Sequence, residues 1–148
     1  MPARTGIHWV RVVIPLTDER RINLPQWVLP SQRAITTQTQ IDVMWFAAPY
    51  SYEVYWDGEL IGRSGVVGRT REEEVVGLLE NVFPIPRELL RAGKHVVAVR
   101  LSSFHYNFAA KQFGVGFILA NFADLRANET RRVAYPIAGV GGAVLVGL

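Results

Sequence analysis

The sequence predicts an all-β fold, a β-sandwich with one or two short helices. Three observations lead there. Apolar residues alternate with polar ones over short runs, as half-buried strands require. Glycine, proline and an Asp-Gly pair punctuate those runs at short intervals. The chain has 148 residues, which makes one domain, or one domain plus a short appendage, and is enough to bury a sizeable core.

Residues 7–16 open the fold as a strand. Val10, Val12, Ile14 and Leu16 share one face, with Trp9 and Arg11 on the other. Residues 17–23 are charged and turn-like. Residues 24–30 are apolar but bracketed by prolines, which suits an edge strand or an extended crossing. Residues 33–46 place Ile35, Thr37, Thr39, Ile41, Val43 and Trp45 on one side, the pattern of a long half-exposed strand.

The centre of the chain is the hairpin formed by residues 52–56 and 59–61. Asp57-Gly58 joins them, because a type I′ turn needs positive φ at both central positions. Gly62, Gly65 and Gly68 predict a flexible exit. Residues 69–80 read as helical, with Glu72-Glu73-Glu74 as a solvated face. Residues 81–86 are extended by their prolines. Residues 87–92 make about one helical turn, stopped by Gly93. A strand at 95–101, an aromatic loop at 104–113 and a last strand at 114–121 complete the domain.

Composition narrows the function. The formal charge is +3, and the basic residues are scattered except for Arg20-Arg21 and Arg131-Arg132. No basic stripe or nucleic-acid module is present, so nucleic acid is not an expected partner. The absence of cysteine excludes disulfides, cysteine-ligated zinc and a cysteine nucleophile. His8, His95 and His105 are far apart in sequence, so no metal centre is expected. Ser64, Ser102 and Ser103 lack a nucleophile-elbow context. Gly62-x-x-Gly65-x-x-Gly68 lacks the lysine and the βαβ setting of a phosphate loop. The expectation is a non-catalytic chain without a cofactor.

Three pieces in order carry a family resemblance: Gly6-Ile-His-Trp-Val-Arg11 with Ile14-Pro-Leu16; Tyr52-Glu-Val-Tyr-Trp-Asp-Gly-Glu-Leu-Ile-Gly62; and Ile85-Pro-Arg-Glu-Leu-Leu-Arg-Ala-Gly93 leading into Val96-Val-Ala-Val-Arg100. This resembles the galactose-binding-like jelly roll, as in the sugar-binding domains of family 2 glycoside hydrolases. It is similar also to the extracytoplasmic sensor domains of bacterial membrane-bound histidine kinases and diguanylate cyclases. Asp57 and His95 stand where the pattern has asparagine. The resemblance covers residues 6–125 and implies a ligand-sensing domain on the periplasmic side of the cell membrane. A carbohydrate-binding accessory module of a glycoside hydrolase is the alternative.

Residues 126–132 then read as a juxtamembrane linker, and residues 133–148 as the start of a transmembrane segment. That run carries no charge over 16 residues, where a span needs about 20 apolar ones. Its other reading is a final buried strand. Arg131-Arg132 runs against the preference of basic residues for the cytoplasmic flank. Met1 is compatible with a protein that extends upstream.

The expected ligand site is the loop around residues 103–108, helped by the glycine-rich exit. Phe104, His105 and Tyr106 offer stacking faces with a donor or acceptor, and Arg63 offers a charge-assisted donor. The ligand would be a carbohydrate or small anion. Packing is the other reading of this loop, and homodimerisation is its use if no ligand binds there. Trp45, Phe46, Tyr50, Tyr52 and Trp56 are expected in the core. Tyr55 is set apart by sharing a face with Glu53 and Asp57.

Overall fold

The computed structural model describes residues 6–18, 20, 40–105 and 116–127. Among these described residues, seven strands form two antiparallel sheets, packed as an all-β sandwich. The strands are β1 (Ile7–Leu16), β2 (Val43–Ala47), β3 (Ser51–Trp56), β4 (Glu59–Ser64), β5 (Glu80–Pro84), β6 (Gly93–Ser102) and β7 (Gly116–Ala120). One sheet runs β1-β6-β3-β4 and the other β5-β2-β7. A 3-10 turn at Arg87–Leu89 precedes β6, and a short helix α1 (Phe122–Ala127) follows β7.

The alternation in β1 is realised as read: Ile14 and Leu16 are buried, while Trp9 and Arg11 point outward. The hairpin also forms as read. Asp57 has φ 49° and Gly58 φ 87°, the paired positive values that a type I′ turn demands. A bulge between Val54 and Tyr55 shifts the register, so Tyr55 pairs with Leu60 and Val54 with Gly62. Bulges of this kind re-aim the side chains beside them.

The core lies between the sheets. Ile14, Tyr52, Val54, Trp56, Val97, Val99 and Leu101 from one sheet meet Met44, Phe46, Phe83, Phe117 and Leu119 from the other. The Tyr52 ring sits 4.4 Å from Phe46 and meets Phe83 edge-on at 6.3 Å. Tyr52 keeps its hydroxyl satisfied by accepting from Asn81 Nδ2 at 2.8 Å, and the Trp56 indole donates to Leu89 O at 3.0 Å. Each buried ring of this size stabilises the fold by about 1.5–3 kcal/mol. Of the six aromatics in residues 45–56, Phe46, Tyr50, Tyr52 and Trp56 are buried in this core, Trp45 is buried on the far side of the second sheet, and Tyr55 is the half-exposed one.

The second sheet hides its outer face as well. Val43, Trp45, Ile118 and Ala120 pack there under Leu125 of α1. The helix starts where it does because the Asn121 side chain accepts from Ala123 N at 3.0 Å and Asp42 accepts from Phe122 N at 2.7 Å.

Two expectations need correction. Residues 69–80 do not form a helix. A single turn closes from Glu74 N to Thr70 O at 3.2 Å, and Val75 then pairs with Val66 in an antiparallel bridge, which forces the chain into an extended path. The glycine-rich exit is tightly packed rather than loose. A Cβ at Gly62 would strike the Phe83 ring, and one at Gly65 would strike the Val75 carbonyl. The segment bonds across three strands of the first sheet: Leu78 to Ser64, Val75 to Ser51, and Gly68 to Ser102.

No helix among the described residues is long and apolar enough to cross a membrane. The crossing at 24–30, the first half of the strand expected at 33–46, the bulk of the loop at 104–113, residues 128–132 of the linker expected at 126–132 and the apolar run at 133–148 lie outside the described residues.

Candidate ligand-binding site

Strand β6 ends at Ser102, and Ser103, Phe104 and His105 leave it at the rim of the sandwich. What fixes this rim is Glu74. Its carboxylate accepts from Phe104 N at 3.3 Å, from His105 N at 2.8 Å and from His105 Nδ1 at 2.7 Å. The Glu74 side chain is only 1% exposed, whereas the His105 ring is 33% exposed. Burial works to raise the Glu74 carboxyl. Hydrogen bonds from the Ser102 hydroxyl, the His105 ring and the two backbone N–H groups outweigh it and hold the group below its ordinary range. Ser102 also accepts from Gly68 N at 3.3 Å, and Arg71 Nη1 donates to Phe104 O at 2.9 Å.

The rim is therefore pinned from the segment that the sequence presented as a solvated helix. Glu72 and Glu73 are exposed, but Glu74 is buried. Local sequence carries no signal that separates the three glutamates, because the partners of Glu74 lie about thirty residues downstream. Chemically, the pair turns Nδ1 of His105 inward and leaves Nε2 without a bond to any described residue, placed to give or take one hydrogen bond from a ligand.

Of the expected site residues, Phe104 and His105 stand together at this rim. Arg63 does not join them. It is an exposed residue of β4, in a row across the first sheet that runs Trp9, Arg100, Glu53, Arg63. Tyr106 lies outside the described residues.

A second carboxylate–histidine pair closes the opposite end of β6. Asp57 Oδ2 meets His95 Nδ1 at 2.6 Å, and Asp57 Oδ1 accepts from Val96 N at 2.7 Å. The other ring nitrogen, Nε2, faces Arg91 O at 2.6 Å. Both ring nitrogens thus face oxygen atoms. The ring lies 5.3 Å from Trp56. Burial works to raise Asp57, but the bonds from His95 and Val96, with the nearby charges of His95 and Arg91, hold it below its ordinary range. His95 thus joins the hairpin turn to the backbone at Arg91.

No group of three or more histidine, aspartate or glutamate side chains able to hold a metal ion occurs among the described residues. No protein family, no curated protein and no solved structure matches the chain.

Proposed function

We propose that the chain is a non-catalytic ligand-binding domain, serving as the extracytoplasmic sensor of a membrane-bound bacterial signalling protein. The observation that carries the ligand-binding part is the Glu74 anchor. A buried carboxylate holds the backbone of Phe104 and His105 at the rim of a rigid sandwich, with an aromatic ring and one imidazole nitrogen presented there. Rigid scaffolds that fix a short exposed loop are where ligands are commonly met. The resemblance to galactose-binding-like jelly rolls supports the sensor role, and the chargeless run at 133–148 supports attachment to a membrane.

Chemical-shift mapping with neutral sugars and small carboxylates tests the site. The expected result is a set of shifts centred on Phe104 and His105 that His105→Ala and Tyr106→Ala reduce. Shifts confined to another surface would sink the loop as the site. Turnover of ester, phosphate or glycoside substrates, abolished by a point substitution in this chain, would overturn the non-catalytic reading.

The accessory carbohydrate-binding module stays as a second reading because of one observation. Trp9 and Tyr55 form an aromatic pair on the open face of the first sheet, with centroids 5.9 Å apart.

A further inference from the structure

The outer face of the four-stranded sheet combines an exposed aromatic pair with guanidinium groups. Its neighbouring rows read Trp9, Arg100, Glu53, Arg63 and Arg11, Ala98, Tyr55, Leu60. Trp9 is 54% exposed although it lies mid-strand. Its ring tilts 35° against that of Tyr55, across β6. Ala98, beside Tyr55 on β6, is too small to hold the two rings apart.

The polar groups around the rings are set in advance. The Tyr55 hydroxyl donates to Glu53 Oε2 at 2.8 Å, and Arg100 Nη1 donates to the same oxygen at 3.0 Å. Burial works to raise the Glu53 carboxyl, but those two bonds and the charges of Arg100 and Arg63 hold it below its ordinary range. The hydroxyl bond in turn raises Tyr55, so its ring stays a neutral donor locked to Glu53. Arg11 and Arg63 are exposed at the two ends of these rows, and neither is hydrogen-bonded to a described residue. Within these two rows three guanidinium groups stand against one carboxylate, which is itself taken up by Arg100 and Tyr55.

We infer that this face is a binding platform for an acidic saccharide, with a sugar ring on Trp9 and Tyr55 and its carboxylate on Arg63 or Arg11. The apolar C–H face of a pyranose matches an exposed indole, and a free guanidinium matches a carboxylate through two parallel hydrogen bonds. A neutral sugar would offer the two arginines hydroxyl acceptors but neither the charge nor the paired oxygens of a carboxylate. A purely apolar partner would have to desolvate three guanidinium groups and a carboxylate without replacing their hydrogen bonds. The inference shares with the reading above only that the chain binds a ligand; it does not depend on the rim at Phe104 and His105.

Titration calorimetry with α-1,4-linked trigalacturonate tests it, with α-1,4-linked galactotriose as the uncharged counterpart. Trp9→Ala should weaken trigalacturonate by about tenfold or more, the loss typical of truncating a central aromatic anchor. Because Trp9 is more than half exposed, the variant should keep the native melting temperature. The double variant Arg11→Gln, Arg63→Gln should lower affinity for trigalacturonate and bring it down to that for galactotriose. Equal affinity of the native chain for the two sugars overturns the assignment to acidic ligands. Binding that survives Trp9→Ala and is lost in His105→Ala moves the saccharide to the rim, which overturns this inference and leaves the ligand-binding reading intact. Failure of the folded chain to bind either sugar overturns it too, and shift mapping at the rim then decides the wider reading by itself. Self-association in sedimentation that Trp9→Ala abolishes would give the face to a second copy of the chain, against the inference.

Discussion

The two ends of β6 are closed by the same pair of groups used in opposite ways. At the hairpin end the His95 side chain is 8% exposed and the Asp57 side chain 41% exposed. At the rim the His105 side chain is 33% exposed and the Glu74 side chain 1% exposed. The distances are nearly equal, 2.6 Å and 2.7 Å, so length does not separate the pairs. Burial does. A buried group that loses its partner bears the full cost of an unmet hydrogen bond, whereas an exposed one turns to water. The hairpin end should therefore depend on its histidine and the rim on its carboxylate.

The largest effect should come from Glu74→Ala. It strips an acceptor from the backbone N–H groups of Phe104 and His105 and from Ser102, and should cost about 3 kcal/mol in denaturant unfolding. A loss below that of His105→Ala would break the comparison. Next comes His95→Ala, expected to cost about 2 kcal/mol, since it removes bonds to Asp57 and Arg91 O together with the packing on Trp56. Gly58→Val bears on the same end through the turn. Forcing a β-branched residue to φ 87° should lower stability by about 1–2 kcal/mol, and an unchanged melting temperature would count against the turn. His105→Ala should be milder, below about 1 kcal/mol, because its ring is partly solvated.

Acid sharpens the same contrast. Glu74 and Asp57 are both held below their ordinary values of 4.5 and 3.8. A carboxyl depressed by folding stabilises fully above its ordinary value and loses that contribution as pH falls through the lower folded value. Melting temperature should therefore drop on acidification below about pH 4.5. Glu74→Gln should flatten that drop more than Asp57→Asn, because Asp57 is screened by water. Parallel acid limbs in the two variants would show that burial does not rank them.

Where the sequence was legible, the reason was local. The alternation of residues 7–16 and the Asp57-Gly58 dipeptide carry their own geometry, and β1 and the hairpin follow them. Residues 69–80 misled because three consecutive glutamates read as helix surface, while the conformation is dictated by contacts with Val66, Ser51 and Ser102 from elsewhere in the chain. His95 was visible only as a departure from a pattern, and its role depends on Asp57, which β4, β5 and the 3-10 turn separate from it in sequence. Arg63 was read with the rim from its place in the glycine-rich exit. Register puts it instead in the row with Trp9. The Trp9–Tyr55 pair needs that cross-strand register before it exists at all.

The crossing at Gly65, Gly68 and Gly77 has a consequence for how this chain tolerates change. At each of the three, an added Cβ would meet backbone atoms of another stretch of chain, which have no rotamer to change. Loops are ordinarily the part of a domain that accepts substitution and insertion most freely. Here the usual map is inverted. In a saturation library, the connecting segment at 65–77 should be among the least permissive regions, while outward positions of β1 such as Val13, 58% exposed, should accept nearly any residue that suits a strand.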